Sequence, residues 1–405
     1  MMAPASKLRT VTILGATGSV GTSTANLIME ANATEPGRFD VVAVTALRNA
    51  RGLAEQARRL KAHHAAIADE GALGELRERL AGTGITTSAG LQAINEAAAM
   101  PSDLVMAAIV GTAGLEPALT AVRRGAAIAL ANKECLVTAG HAFMAQARAS
   151  GATILPVDSE HNAVFQILDG PANSEVATVT LTASGGPFRD WDLRRMACAT
   201  IKEACAHPNW AMGAKISVDS ATLMNKGLEL IEAAHLFALT HEQLGVVIHR
   251  QSLVHALIEF VDGSIHAQMG AADMRLPIAH VLAYPERLRW RAPKLNLAQI
   301  GSLTFEAPDL SRFPALALAQ ACLRQGGGYP TILNAANEVA VEAFLNGQLP
   351  FLGVAEVCER VLNGFPHMAQ SDHLDLAAIL ALDLEARHAA RSAIAQSSTP
   401  ISHIH

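Results

Sequence analysis

Short apolar runs alternate with longer amphipathic segments along the first part of the chain. The apolar runs predict buried strands at residues 10–14, 41–47, 64–69, 104–109, 126–130 and 152–157. Segments between them, such as 49–61 and 72–81, have the spacing of amphipathic helices. This alternation predicts an α/β fold with a Rossmann-like, doubly wound parallel sheet, which we place at residues 1–157.

The pattern changes after residue 157. Runs rich in β-branched residues at 176–184 and 244–270 predict strands. Helical spacing appears between them, at 192–206 and 220–239. Strands and helices that are mixed in this way predict an α+β catalytic domain over residues 158–284.

The last third of the chain has two parts. Residues 285–313 contain three prolines and no clear periodicity, which predicts a linker. From residue 314 to residue 405 the spacing is helical, so we expect a C-terminal helical domain. Its final stretch, SSTPISHIH, predicts a flexible tail. These helices would either close one side of the active site or support a dimer.

Composition excludes several classes of protein. Half of the 405 residues are hydrophobic and 17% are charged, with a formal net charge of −6. The negative net charge does not suggest a nucleic-acid partner, which would usually require a basic patch. No apolar stretch of about 20 residues predicts a membrane span, and the N-terminus resembles no signal peptide. The five cysteines form no CxxC pair, which favours reduced thiols and a cytoplasmic protein.

A glycine-rich turn follows the first predicted strand. In ILGATGSVG, Gly15, Gly18 and Gly21 have the spacing GxxGxxG, and a helix is expected to begin near Ser19 or Val20. Glycines let a backbone approach a pyrophosphate, which the helix N-terminus attracts. The motif therefore predicts a dinucleotide site.

The end of the second strand indicates which dinucleotide binds. NAD-selective folds often place an acidic residue there, whereas NADP-selective folds use a basic one. Here Arg48 and Asn49 follow the strand and no acid is present, so we expect NADPH. The alternative is that Arg48 is a solvated charge that opens the next helix.

Polar residues also end the strand at 126–130. Asn132, Lys133 and Glu134 follow it, at the edge of a parallel sheet where ligands bind. Lys133 could hold a substrate oxygen near the nicotinamide. We interpret Cys135 as a packing residue, because no histidine nearby would activate its thiol.

Two carboxylates stand close together in LPVDSEHNAVFQIL. If this segment is extended, Asp158 and Glu160 point to the same side and suit Mg²⁺ or Mn²⁺. Ser159 would cap a helix that begins at His161. An N-cap role for Asp158 or Ser159 explains the acidic pair equally well.

A third carboxylate favours the metal interpretation. Asn225, Lys226 and Glu229 share one face of a predicted helix that begins near Ser220. A serine at a helix start, an amide and a lysine suit a phosphate monoester, and the glutamate would add a metal ligand. An ordinary lysine–glutamate pair on a surface helix is the alternative.

Two loops complete the candidate site. Ser184, in SGGPF, offers a hydroxyl and accessible amides for a phosphate. Residues 206–215 are non-periodic and predict a mobile lid in which Trp210 and Met212 cover the substrate and Gly213 supplies mobility. From its residue type alone, Trp210 fits a packed core better. His207 would bind phosphate or act as an acid or base.

The order of these motifs is similar to that of a known family. GATGSVG, NKE, DSEHNAVFQ, SGGPF and HPNWAMGAKISVDSATLMNKGLE closely resemble the 1-deoxy-D-xylulose 5-phosphate reductoisomerase family. MRLPIAHVLAYP and YPTILNAANEVAVEAFL resemble its later segments, so the resemblance covers nearly the whole chain.

The resemblance implies an oxidoreductase of non-mevalonate (MEP) isoprenoid biosynthesis. Family members rearrange 1-deoxy-D-xylulose 5-phosphate, by retro-aldol cleavage or by a ketol shift. They then reduce the aldehyde with NADPH to 2-C-methyl-D-erythritol 4-phosphate. The resemblance also implies Mg²⁺, Mn²⁺ or Co²⁺ as the metal and a homodimer as the assembly.

The resemblance assigns roles by position in the motifs. It implies metal ligands at Asp158, Glu160 and Glu229. The implied substrate residues are Lys133, Ser159, Ser184, His207, Ser220, Asn225 and Lys226. The implied cofactor residues are Thr17, Gly18, Ser19, Val20, Arg48, Asn49, Asn132, Glu134 and Gly213. The sequence departs from the family at Leu47, where glycine is frequent, and we expect the larger side chain to alter the pocket for the adenosine phosphate.

Two other classes of protein share parts of this pattern. A semialdehyde or homoserine dehydrogenase would use the same type of sheet without a divalent metal. A regulator that binds NADP without catalysis would bind the cofactor and oxidise none. Loss of activity in EDTA, followed by recovery with Mn²⁺, would separate a reductoisomerase from the dehydrogenase. Oxidation of NADPH with the sugar phosphate and metal present would separate it from the regulator.

Overall fold

The computed structural model describes residues 8–210, 212–366 and 374–397. Apart from Ser397, the predicted C-terminal tail lies outside these residues. The strands are β1 Arg9–Leu14, β2 Phe39–Ala46, β3 His64–Ile67, β4 Thr86–Ala89, β5 Leu104–Ala107, β6 Ala127–Leu130, β7 Ile154–Pro156, β8 Val176–Ala183, β9 Leu244–Ile248, β10 Val254–Phe260 and β11 Ile265–Met269.

Helices connect and flank these strands. They are α1 Ser19–Thr34, α2 Ala50–Leu60, α3 Leu73–Leu80, α4 Leu91–Ala99, α5 Leu115–Arg123, α6 Glu134–Ser150, α7 Ser159–Leu168, α8 Leu193–Ala197, α9 Ile201–Ala204, α10 Ala214–Thr222, α11 Met224–Phe237, α12 Arg275–Ala283, α13 Leu297–Ile300, α14 Pro314–Gln325, α15 Tyr329–Leu345, α16 Gly353–Asn363 and α17 Leu376–Ser397. None of the described helices is long and apolar enough to cross a membrane.

The chain divides into two compact units, each made of several segments. The first unit comprises Met1–Cys135, Phe143–Phe165 and Asp273–Lys294. The second comprises Leu136–Ala142, Gln166–Ala272 and Leu295–His405. This division differs from the predicted boundaries, because residues 273–294 were expected in the catalytic domain and the linker.

The first unit contains a parallel sheet of seven strands in the order β4-β3-β2-β1-β5-β6-β7. The predicted Rossmann-like, doubly wound fold is therefore confirmed. Its inner strands are apolar runs because helices cover both faces of such a sheet. Strand order reverses beside β1, and ligands of open α/β sheets bind at such a switch point.

The edge strand β4 was not among the predicted strands. Its residues, TTSA, are polar or small, and none of them is fully buried. An edge strand pairs on one side only, here with β3, and needs no apolar run.

Arg9, on β1, holds the segment Asp273–Lys294, which belongs to the first unit and contains α12. The Arg9 guanidinium donates to the carbonyls of Leu282 at 2.9 Å and of Tyr284 at 3.0 Å, at the end of α12. Carbonyls in the last turn of a helix lack partners within the helix, and a cation satisfies them. Burial lowers the pKa of Arg9. This capping explains why α12 belongs to the first unit, a tertiary contact that local sequence patterns do not reveal.

The second unit contains a four-stranded sheet in the order β11-β10-β8-β9, with β10 antiparallel to both of its neighbours. This sheet, the helices around it and the helices that follow confirm the predicted α+β and helical parts. The most buried helix is α15, where 14 residues are buried.

One predicted helix is two helices in the structure. The helix expected over 220–239 is divided between α10 and α11 at Leu223, which has φ 61° and ψ 10°. This left-handed conformation is uncommon for a residue other than glycine. Apolar spacing continues through the break, so periodicity alone did not reveal it.

Close packing between α11 and α14 generates a prediction at Gly227. A Cβ atom at Gly227 would lie 2.3 Å from the Ala319 Cβ. We therefore expect Gly227→Ala to destabilise the protein by about 1–3 kcal/mol, the usual cost of overpacking. Gly74→Ala is the control, because Gly74 lies within α3 with no atom within 4 Å of such a Cβ. Thermal unfolding should show a lower midpoint for the first variant only; equal midpoints would contradict the packing argument.

Candidate active site

The glycine turn of the first unit joins β1 to α1. Gly15 has φ 84°, and its N–H donates to the Thr45 Oγ1 at 3.0 Å. Its carbonyl accepts from the Gly18 N–H at 3.2 Å. The helix begins at Ser19, as the sequence predicted. Thr45, a buried residue of β2, was missed, because a threonine inside an apolar strand gives no local signal of this role.

Packing requires glycine at position 21 but not at position 18. A Cβ at Gly21 would lie 2.3 Å from the Gly15 carbonyl oxygen, so the fold itself excludes a side chain there. A Cβ at Gly18 would approach the same oxygen only to 3.5 Å, an ordinary contact. Gly18 also has φ −77°, which any residue adopts. Packing therefore does not require a glycine at position 18, whereas close approach of a ligand would.

The start of α1 suits an anion. No side chain caps it, and its first turn contains no acidic residue. The N–H groups of a first helical turn lack partners within the helix and attract negative charge. Of the other predicted cofactor residues there, Thr17 and Val20 are half-buried and Ser19 is exposed.

The end of β2 carries the residues that were expected to select the cofactor. Arg48 is exposed, and Leu47 beside it is 66% exposed. The Asn49 side chain caps α2 by accepting from the Gly52 N–H at 2.9 Å. Asn49 therefore has a structural role, and Arg48 is the residue whose charge faces solvent.

Asn132 and Lys133 lie buried at the end of β6. The Asn132 Nδ2 donates to the Gly111 carbonyl at 2.8 Å and to the Ile109 carbonyl, so it ties together the loops after β5 and β6. The Lys133 Nζ lies 2.5 Å from the Asp158 Oδ2. Two of the residues predicted for the site are therefore an ion pair in the first unit. Glu134 and Cys135, which follow, are buried.

The start of α7 corrects the argument made for Asp158 and Glu160. The helix begins at Ser159, two residues earlier than predicted, and the Asp158 carbonyl accepts from the Asn162 N–H at 2.8 Å. Glu160 is therefore in the first helical turn, and the reasoning from an extended segment was wrong. The Ser159 Oγ donates to the Glu160 carboxylate at 2.6 Å. Acidic charge at a helix start is favourable in itself, so both proposed roles of the pair are compatible.

In the second unit, α11 brings Asn225, Lys226 and Glu229 together. The Asn225 Nδ2 donates to one carboxylate oxygen of Glu229, and the Lys226 Nζ donates to the other. The Lys226 and Glu229 side chains are 4% and 2% exposed. The shared helix face is confirmed, and the surface-pair alternative is wrong because both charges are buried.

Ser220 does not begin a helix. It lies near the end of α10, where its carbonyl accepts from the Leu223 N–H at 3.2 Å. The predicted helix start at Ser220, and with it an anion site at that start, was therefore wrong. Ser220 is instead close to the Ser184 loop, because a Cβ at Gly186 would lie 2.6 Å from its carbonyl oxygen.

Ser184 is paired with His207. The His207 Nδ1 accepts from the N–H groups of Asn209 at 3.1 Å and of Trp210 at 2.9 Å, so in the neutral ring the proton is on Nε2. The Nε2 lies 2.8 Å from the Ser184 Oγ and donates to it. The same Oγ accepts from the Gly186 N–H at 3.2 Å. With two bonds accepted, the Ser184 hydroxyl has its own proton to donate to an anion.

The predicted lid is described except for Ala211, which lies outside the described residues. Its first part is anchored, because the Asn209 Nδ2 donates to the Arg250 carbonyl and to the Ser252 Oγ, both at 2.8 Å. Trp210 and Met212 are half-buried and Gly213 is exposed. Trp210 is therefore not a fully packed core residue. Its indole lies 6.3 Å from the His255 ring.

Sequence reasoning also missed Asp219, a buried residue of α10. Its carboxylate lies 3.0 Å from the Lys215 Nζ. The available signal was an acid four residues after a lysine inside an otherwise apolar and small segment, KISVDSAT. It was overlooked because the predicted helix was started at residue 220.

Comparison with protein families gives consistent matches along the chain. Residues 11–140 match the model of 1-deoxy-D-xylulose 5-phosphate reductoisomerase. Residues 154–237 match the model of its C-terminal domain, and residues 269–389 match that of the DXP reductoisomerase C-terminal domain.

Individual proteins are similar over nearly their whole length. The 1-deoxy-D-xylulose 5-phosphate reductoisomerase of Rhodospirillum centenum is 54% identical over 388 residues, which cover 96% of this chain and 95% of the relative. That of Caulobacter vibrioides is 52% identical over 393 residues, which cover 96% and 97%.

Solved structures give the same result. The reductoisomerase of Zymomonas mobilis in complex with NADPH has a TM-score of 0.88 and 45% identity, covering 96% of this chain and 99% of that one. A reductoisomerase in complex with NADPH, fosmidomycin and magnesium has a TM-score of 0.90 and 41% identity, covering 97% and 100%.

The contrast between Gly18 and Gly21 can be tested. We expect Gly18→Ala to keep the thermal midpoint of the parent chain and to weaken dinucleotide binding about tenfold, because a methyl group would stand where the pyrophosphate approaches. Gly21→Ala should lower the midpoint, because it clashes with backbone. Differential scanning fluorimetry and titration with NADPH measure both. Unchanged NADPH affinity in Gly18→Ala would show that the turn does not contact the cofactor.

Proposed function

Because the chain belongs to the 1-deoxy-D-xylulose 5-phosphate reductoisomerase family, we propose a role for each of its site residues in the reaction of that family. The chain is an oxidoreductase that rearranges 1-deoxy-D-xylulose 5-phosphate and reduces the product with NADPH in the MEP pathway. The observation that carries the assignment of residues is the hydrogen-bonded cluster of Asn225, Lys226 and Glu229, in which Lys226 and Glu229 are buried. It combines donors for a phosphate with a carboxylate for a metal.

NADPH binds, in this proposal, at the glycine turn of the first unit. The exposed Gly18 backbone and the uncapped start of α1 suit the pyrophosphate. Arg48, exposed after β2, pairs with the 2′-phosphate, which distinguishes NADPH from NADH. Asn132 positions the loops after β5 and β6 around the nicotinamide and is not expected to contact the cofactor through its amide group.

A divalent cation fits the carboxylates that the sequence assigned to it. Asp158, Glu160 and Glu229 offer oxygen ligands only, which suits Mg²⁺, Mn²⁺ or Co²⁺. Asp158 and Glu229 are each paired with a lysine, so their charges are balanced before a cation binds. When bound, the cation supplies Lewis-acid stabilisation of charge on the substrate's carbonyl and hydroxyl oxygens. We propose these three residues as its ligands.

The phosphate of the substrate is held by residues of the second unit. Lys226 and Asn225 donate to it from α11, and Ser184 donates its hydroxyl proton. His207 orients that hydroxyl by donating from Nε2. Ser220, next to the Ser184 loop, adds a further donor. Binding energy from the phosphate, which does not react, orients the carbons that do react.

Two further groups act at the reacting end of the substrate. Lys133 holds an oxygen and shares its charge with Asp158. Ser159 and Glu160, at the start of α7, position a second oxygen. The lid, with Trp210 and Met212, excludes water so that the aldehyde stays in place for reduction. The base of the lid is fixed by Asn209, so movement is expected in the residues after it.

The metal assignment is tested by Glu229→Gln. We expect turnover to fall by about a hundredfold or more, because a neutral amide is a weaker ligand, while the Kd for NADPH stays within about twofold. Glu338→Gln is the control, since Glu338 is a partly buried acid of the same unit, paired with Arg387. Steady-state rates with Mg²⁺ and titration with NADPH measure both effects. Normal turnover in Glu229→Gln would show that Glu229 is not a ligand.

We also propose that the protein is a cytoplasmic homodimer, as the family resemblance implies. Light scattering of the purified protein tests the assembly. A mass near twice the 42.5 kDa of one chain is expected, and a mass near 42.5 kDa would contradict the dimer.

A further inference from the structure

Asp219 is a buried acid beside the proposed phosphate site. It precedes Ser220 on α10 and is 1% exposed. The Asn337 Nδ2, on α15, donates to its Oδ1 at 2.7 Å. The Lys215 Nζ, one turn earlier on α10, lies 3.0 Å from its Oδ2. Both carboxylate oxygens are therefore held, each from a different helix.

Hydrogen bonds continue from Asp219 to the start of α11. The Asp219 carbonyl accepts from the Thr222 Oγ1 at 3.1 Å. The Thr222 Oγ1 accepts in turn from the Met224 N–H at 3.2 Å. This chain of bonds spans the break at Leu223, and Asn225 is the next residue after Met224. The end of α10 and the first turn of α11 are thus fixed relative to one another.

We infer that Asp219 is a positioning residue for the substrate phosphate. Asn337 and Lys215 hold the Asp219 carboxylate. Asp219 therefore fixes the position of the end of α10, and so the positions of Ser220 and of the first turn of α11. The inference rests on the proposed function, in which Ser220, Asn225 and Lys226 contact the phosphate. It also gives the C-terminal helices a role, because α15 supplies the fixed point.

The second unit contains a comparable acid without this connection. Asp383, on α17, is also buried, and its carboxylate lies 2.7 Å from the Arg387 guanidinium four residues later. Neither residue belongs to the site. A purely structural role for Asp219 predicts that losing either acid has the same kind of effect: reduced stability and unchanged substrate binding.

Asp219→Asn tests the inference. An amide keeps one of the two carboxylate oxygens and replaces the other with an NH₂ group, so one of the two donors, the Asn337 Nδ2 or the Lys215 Nζ, loses its acceptor. We expect the KM for 1-deoxy-D-xylulose 5-phosphate to rise about tenfold, while the KM for NADPH stays unchanged. Asp383→Asn should lower the thermal midpoint and leave both KM values unchanged. An unchanged substrate KM in Asp219→Asn, or an equal rise in Asp383→Asn, would overturn the inference.

A double variant provides a rescue. In Asp219→Asn with Asn337→Asp, the new amide donates to the new carboxylate and still accepts from Lys215. We expect its substrate KM to recover most of the loss, and no recovery would count against the inference. If Asp219→Asn does not fold, Lys215→Met replaces it. Lys215 is 29% exposed, and the same rise in substrate KM is expected.

Hydrogen exchange tests the positioning role of Asp219 independently of the proposed function. If the parent chain does not convert the sugar phosphate, the proposed function fails. The positioning role is then judged by the backbone amides of residues 220–226. They should exchange faster in Asp219→Asn than in Asp383→Asn. Equal exchange in the two variants would overturn the positioning role, whatever the substrate.

Discussion

Pairing of acidic side chains with lysines is the interaction on which the proposed site residues depend in both units. An isolated carboxylate loses so much hydration on burial that it must be paired or lose its charge. This chain pairs three acids at or beside its site with lysine ammonium groups, at Lys133–Asp158, Lys215–Asp219 and Lys226–Glu229. Two of the acids, Asp219 and Glu229, are almost inaccessible. In the proposed function, the charges of Lys226 and Glu229 therefore act in a buried environment, where electrostatic interactions are strong.

Backbone geometry determines where the proposed site residues lie. The left-handed conformation of Leu223 ends one helix and starts the next, so that Ser220 and Asn225 belong to different helices although they are five residues apart. Two backbone N–H groups, of Asn209 and Trp210, donate to the His207 Nδ1. They leave the ring proton on Nε2, so His207 donates to Ser184. The lysine pairs, the direction of the Ser184–His207 hydrogen bond and the break between α10 and α11 thus have separate structural causes.

Residue patterns predicted the parallel sheet and its glycine turn because buried strands and close backbone approach leave strong local signals. They also predicted the Asn225–Lys226–Glu229 face, since helical spacing is local. They did not predict features that depend on tertiary contacts. The edge strand β4 is polar, the break at Leu223 interrupts no periodicity, and Asp219 depends on a residue more than 100 positions away. The extended reading of Asp158 and Glu160 failed because α7 begins two residues earlier than its pattern suggested.

The capping of α12 by Arg9 has a consequence for synthesis of the chain. The two partners are separated by 273 residues for the bond to Leu282. The first unit includes residues 273–294, so α12 is synthesised only after about half of the second unit, residues 136–142 and 166–272. The seven strands of the first sheet all lie before residue 157, so the sheet is synthesised long before the helix that Arg9 caps. The last segment of the first unit is therefore synthesised between two segments of the second, Gln166–Ala272 and Leu295–His405, so the first unit cannot be complete when the second begins.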